Sequence, residues 1–124
     1  IILMIFFWYC FLICILNSKM NLNSSDWKKK KDADSSSVCI DVRTIEEFND
    51  GHIQSSINVD FYDAAKFVSF LNELDKKKSY YVYCRSGKRS YSACEIMKEL
   101  GFTNLYNLES GYLDWVECNY ETVR

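Results

Sequence analysis

Proline is absent from these 124 residues, histidine occurs once, and no Cys-x-x-Cys pair is present. Without proline, slow prolyl isomerisation cannot limit folding. With His52 as the sole histidine, a zinc site or a Cys/His catalytic pair lacks its parts, so no metal and no organic cofactor is expected. Basic excess is missing too. The formal charge is -2, and no stripe of basic residues interleaved with aromatics occurs, which removes nucleic acid from the expected partners. Six cysteines fall at Cys10, Cys14, Cys39, Cys84, Cys94 and Cys118, two in an apolar leader and two in expected core elements, which is not the pattern of a disulfide-stapled mini-protein. What the chain does have is 48% apolar and 16% aromatic residues, enough for one buried core in a single domain.

Residues 1 to 16 are uncharged and almost wholly apolar. As a helix they would be slightly short for a bilayer core. Three readings fit this leader, taken as residues 1–17 ahead of a domain at 18–124: the apolar region of a signal peptide, an N-terminal membrane anchor, or translation upstream of a start at Met20. The first two place the protein outside the cytosol or tethered to a membrane through residues 1–16, and the third places it in the cytoplasm.

Beyond the leader, strands and helices alternate. Met20 to Leu22 reads as a short strand, and Ser24 or Ser25 as the cap of a helix whose lysine run, Lys28 to Lys31, ends it in solvent. Val38 to Arg43 reads as a buried central strand. Thr44 caps a short helix closed at Gly51, and Ile57 to Val59 is a short strand. Ala64, Phe67, Val68, Leu71 and Leu74 share one helical face. Tyr80 to Tyr83 is a strand, Ala93, Ile96, Met97 and Leu100 mark the next helix, Leu105 to Leu108 is a strand, and a last helix starts at Gly111. This order predicts an α/β domain with a largely parallel sheet and a site beyond the strands' C-terminal ends.

At one such end stands Cys84-Arg85-Ser86-Gly87-Lys88-Arg89-Ser90, a thiol followed by three cations and a glycine, between a strand and a helix. Nearby cations and a helix N-terminus raise the thiolate fraction of a cysteine. Gly87 lets backbone approach a ligand, and a concavity of N–H groups holds anions. Basic residues oppose the dipole at a helix start, so three of them beside a cysteine point to an anionic substrate. Attack on phosphorus and attack on a sulfane sulfur both fit.

This loop, with Asp41-Val42-Arg43, Glu46-Glu47-Phe48, Gly51-His52-Ile53, Leu100-Gly101-Phe102 and Tyr106-Asn107-Leu108-Glu109-Ser110-Gly111-Tyr112 through Trp115, resembles a single-domain rhodanese over about residues 20 to 118. The resemblance implies a five-stranded parallel sheet flanked by helices on both faces. It implies a sulfurtransferase in which Cys84 takes a sulfane sulfur from thiosulfate or a persulfide and passes it to cyanide or a thiol. Arg85, Ser86, Gly87, Lys88 and Arg89 would form the substrate cradle. Related phosphatases carry a loop one residue longer, and the four residues between Cys84 and Arg89 match the shorter, sulfur-sized one. A non-catalytic docking module is the other alternative.

Against the usual family pattern, Ile45 replaces a proline, Ser55 and Ser56 replace small residues, and Ser110 replaces a glycine whose positive φ a serine adopts reluctantly. Asp41 and Arg43 end the central strand on the loop's side and are expected to support it structurally, Arg43 pairing with Glu47 and Asp41 with loop backbone. His52 reads as turn-stabilising, Cys39 and Cys94 as small core hydrophobes, and Cys118 as a surface thiol. Cys10 and Cys14 read as lipid-facing or spurious.

Overall fold

The computed structural model describes the backbone of residues 1–18 and 20–124, with side chains for 1–10 and 20–124, so Cys14 lies outside the described side chains. Helix α1, Ile2–Ser18, precedes β1, Asn21–Leu22, and α2, Ser24–Ala33. There follow β2 (Val38–Asp41), α3 (Ile45–Asp50), β3 (Ile57–Asn58), α4 (Ala64–Asn72), β4 (Ser79–Tyr83), α5 (Lys88–Glu99), β5 (Asn104–Leu108) and α6 (Gly111–Glu117). The strands form one sheet in the order β1-β5-β4-β2-β3, every pair parallel.

Alternation along β4 sorts the interior into two layers, because successive strand side chains point to opposite faces. Tyr80, Val82 and Cys84 join Phe67 and Leu71 of α4 and Ala93, Cys94 and Met97 of α5. Tyr81 and Tyr83 join Trp27 of α2 and Trp115 of α6 on the other face. Trp27 is fully buried and meets Tyr81, Tyr83 and Trp115 edge-on, at centroid distances of 5.6, 6.2 and 5.6 Å. Its indole N–H donates to the Tyr106 carbonyl at 3.1 Å, so the ring is buried with its one polar group satisfied.

Several sequence expectations shift in detail. The cap of α2 is Asn23, whose side chain accepts from Asp26 N–H, while Ser24 is buried and donates to Asp114 of α6 at 2.5 Å. The positive φ sought at Ser110 lies instead at its neighbour Gly111 (71°), with Ser110 at −90°. Among the described non-glycine residues, Ser55 at 67° and Asn119 at 56° carry a positive φ. Arg43 does not pair with Glu47. Its guanidinium turns back to Asp41 (2.7 Å) and the Gly51 carbonyl (2.7 Å), because both lie on the buried side of the strand end. His52 stacks on Phe48 at 3.7 Å, and its Nδ1 lies 2.9 Å from the Phe48 carbonyl, a turn-bracing position.

Ile1 to Tyr9 are exposed on α1 wherever they are large and apolar. Among the described residues no helix is long and apolar enough to cross a membrane.

Trp27→Ala is expected to cost about 3–5 kcal/mol in denaturant unfolding, since it empties the centre of one layer. Ser55→Gly is expected to raise stability by up to about 1 kcal/mol by removing a Cβ from a left-handed conformation. An unchanged or lower midpoint would show that the serine is not strained.

Candidate active site

Strand β4 ends at Tyr83, and the chain turns at Cys84 into a loop that becomes α5 at Lys88. Cys84 is fully buried. Its Sγ accepts the Gly87 N–H at 3.1 Å and the Ser90 hydroxyl at 3.3 Å, so the sulfur already sits where donors stabilise negative charge. Ser90 was not singled out from the sequence, although its place one turn into the helix is the signal that it could reach back.

Gly87 caps α5 in the left-handed region at φ 91°, without a side-chain cap bond. A Cβ there would strike the Glu109 carbonyl, and one on Gly111, at φ 71°, would strike the Arg85 carbonyl. The loop and the β5–α6 turn therefore touch backbone to backbone. Three loop carbonyls are fixed from that side. Cys84 O accepts from Tyr112 N–H at 2.8 Å, Arg85 O from Leu113 N–H at 3.2 Å, and Gly87 O from the Asn107 amide at 3.1 Å. No peptide bond is cis, and in a trans peptide N–H points opposite to C=O. Anchoring those carbonyls thus turns the N–H groups of Arg85, Ser86 and Lys88 away from the turn, to the other side of the loop. Among the described residues, no acceptor takes the N–H of Arg85, Ser86, Lys88, Arg89 or Ser90. A set of unpaired donors beside a buried sulfur is a receptor for an anion.

Asn107 belongs to this construction and was missed in the sequence as a functional residue. It is buried in β5, its amide N–H₂ divided between Gly87 O and Asn21 Oδ1 at 2.8 Å, and its own Oδ1 finds no partner. A buried unpaired acceptor costs about 1–3 kcal/mol.

The cations divide in two. Arg85 and Lys88 are exposed, and among the described residues their side chains have no acceptor. Arg89 forms a bidentate pair with Glu47, at 2.8 and 3.1 Å, and its guanidinium lies 5.3 Å from the centre of the Tyr62 ring. Glu47 also closes the capping box of α3 with Thr44. The Arg89 guanidinium holds the Glu47 carboxyl down at about 2. Asp41 and Arg43 lie beneath the site, Arg43 stacked 4.2 Å from the Tyr112 ring centre, as a brace for the turn that carries α6. Burial pushes the Cys39 thiol up to about 12 and raises the Cys94 thiol further, which fits two core residues. Among the described residues, no cluster of metal-binding side chains occurs.

Gly87→Ala and Gly111→Ala are each expected to destabilise by more than about 2 kcal/mol, since backbone must retreat on both sides. Removal of the Glu47 charge has a definite pH signature. Its folded pKa is depressed, so the pair contributes stability above the unfolded value, about 4.3, and loses it as pH falls toward about 2. The stability gap between the parent protein and Glu47→Gln should therefore be full at pH 6 and close between these limits in acid titrations followed by circular dichroism. A gap independent of pH would show that the carboxylate charge is not the source.

Comparison with known proteins agrees with this fold. A model of the rhodanese-like domain matches residues 24–118. A Bacillus subtilis protein named as a putative sulfur carrier protein is 37% identical over 89 residues, covering 72% of this chain and 46% of that protein, so the chain spans about half its length. Another from the same organism, named as a putative sulfurtransferase, is 34% identical over 94 residues, covering 76% of this chain and 87% of its own. The crystal structure of a rhodanese-related protein from Thermoplasma volcanium superposes with a TM-score of 0.70 at 28% identity, over 83% of this chain and 96% of that one. With a parallel five-stranded sheet, a thiol in a short loop of unpaired N–H donors and a family match over most of its length, this chain belongs to the rhodanese-like domain family.

Proposed function

We propose that the protein is a sulfurtransferase that carries a sulfane sulfur on Cys84, within a catalytic unit formed by residues 18–124. The observation that carries this reading is the Cys84 sulfur, buried and bonded by Gly87 N–H and Ser90 Oγ, at the head of a loop and first helical turn whose N–H groups at Arg85, Ser86, Lys88, Arg89 and Ser90 have no acceptor among the described residues.

In the first half-reaction the Cys84 thiolate attacks the outer sulfur of a donor such as thiosulfate or a persulfide. The new S–S bond forms as the old one breaks, and sulfite or a thiolate leaves with the bonding pair. The product is a Cys84 persulfide whose terminal sulfur is anionic. Arg85, Ser86, Gly87, Lys88 and Arg89 supply the cradle, the N–H groups as fixed dipoles and Arg85 and Lys88 as charges that draw in the donor. In the second half-reaction cyanide or an acceptor thiolate attacks the terminal sulfur, and Cys84 leaves as thiolate. No proton carrier is needed in either step, which accords with His52 being engaged at the turn. Two successive displacements through one covalent intermediate give ping-pong kinetics. The four residues between Cys84 and Arg89 match the shorter loop implied by the resemblance to rhodaneses, which favours this chemistry over phosphate hydrolysis.

Brief exposure to thiosulfate, followed by intact-protein mass measurement, is expected to add one sulfur to the parent protein, none to Cys84→Ser, and to lose it on a cyanide chase. A folded, reduced protein that gains no sulfur from thiosulfate or from an organic persulfide would refute the assignment. Replacing Arg85 and Lys88 together by glutamine is expected to raise KM for thiosulfate more than about tenfold, because charge-assisted contacts contribute about 1.5–3 kcal/mol each. Unchanged KM would remove these side chains from the binding site.

A further inference from the structure

The charge beside Cys84 is set by a carboxylate outside the loop as much as by the cations within it. Arg89 is the paired cation, held by both Glu47 oxygens and covered by Tyr62, with pair side chains only 17% and 27% exposed. Arg85 and Lys88 are left exposed and unpaired among the described residues. Taken with the Cys84 thiolate, the three cations and the Glu47 carboxylate leave one net positive charge. A monoanion neutralises that charge, whereas a dianion overshoots it.

We propose that Glu47, acting through Arg89, is a specificity-determining residue that tunes the loop toward singly charged sulfane donors, the organic persulfides and thiosulfonates, in preference to dianionic thiosulfate. This rests on the sulfur-transfer reading for its substrate class, but its physical content is an anion preference that can be measured without turnover. Glu47 suits the role because its Oε1 serves both the Thr44 cap and Arg89, while its Oε2 serves Arg89 alone. Glutamine at this position keeps an oxygen at Oε1 for the Thr44 capping box and for Arg89 Nη1, and gives up the charge together with the Oε2 acceptor of Arg89 Nη2. The carboxylate also stays ionised throughout the physiological range, so its compensation of Arg89 is constant there.

The test is an NMR titration of the Ser86 to Ser90 amides in the full chain with two unreactive anions, sulfate for a dianionic donor and methanesulfonate for a monoanionic one. A restored unit of positive charge attracts a dianion with twice the Coulomb energy of a monoanion. Glu47→Gln is therefore expected to tighten sulfate on the order of fivefold more than it tightens methanesulfonate. The double variant Glu47→Gln/Arg89→Gln removes both members of the pair and is expected to return the ratio to within about twofold of the parent value, in line with a net charge effect. Equal tightening of both anions, or weaker sulfate in Glu47→Gln, would overturn the proposal, the second result meaning that Glu47 aims Arg89 at the ligand. Absence of any loop response to either anion would overturn it as well. If the loop shows the expected preference while thiosulfate and persulfide leave no sulfur on Cys84, sulfur transfer and the donor class fail, and the anion preference set by Glu47 stands alone.

Discussion

The site depends on a contact with no room for a side chain. Gly87 and Gly111 bring the Cys84 loop and the β5–α6 turn together backbone against backbone, and a methyl group on either would enter a carbonyl of the other segment. That closeness lets Tyr112 N–H, Leu113 N–H and the Asn107 amide reach the loop carbonyls. Because the peptide is planar and trans, fixing a carbonyl on one side fixes the next N–H on the other. The outward turn of the loop's N–H groups is therefore imposed from outside it, by β5 and α6.

The arrangement is costly where it is useful. Helix α5 begins with no side-chain cap, with cations against its dipole, and with N–H groups that find no acceptor among the described residues. Asn107 contributes a buried acceptor without a partner. Each feature lowers stability; a bound anion would offset the unpaired N–H groups and the cations and so couple binding to folding at this loop, whereas the Asn107 acceptor would gain nothing from it. The aromatic layer beneath supplies the stability that such a site lacks. Trp27, Tyr81, Tyr83 and Trp115 form a fixed floor. Arg43 extends that floor to the loops by linking Asp41, the Gly51 carbonyl and the Tyr112 ring, with Tyr112 N–H in turn on Cys84 O.

Much of this was legible in the chain. The alternation of strand and helix, the apolar face of α5 and the Thr44–Glu47 capping box are all local patterns, and the structure reproduces them because period and capping are set by neighbours in sequence. The position of Cys84 at the end of a central strand followed in the same way. Less legible was the partner of Arg43. Glu47 lies four residues away and looked available, yet the capping box turns its carboxylate toward Thr44 and Arg89, and Arg43 bends back to Asp41. The strained angle moved for a similar reason. Ser110 is helical in conformation because Gly111 makes the close approach, while Ser55 takes a left-handed turn before β3.

By itself, then, the sequence determined the elements, their order and the place of Cys84 between a central strand and a helix, since these follow from periodicity, capping and a short run of adjacent residues. Tertiary structure alone decided which distant groups brace the loop and which of its cations is paired. Asn107 comes from a strand 20 residues beyond Gly87, and Glu47 reaches Arg89 across 42 residues. Such pairings depend on strand order and on the space between backbones, and no local pattern encodes either.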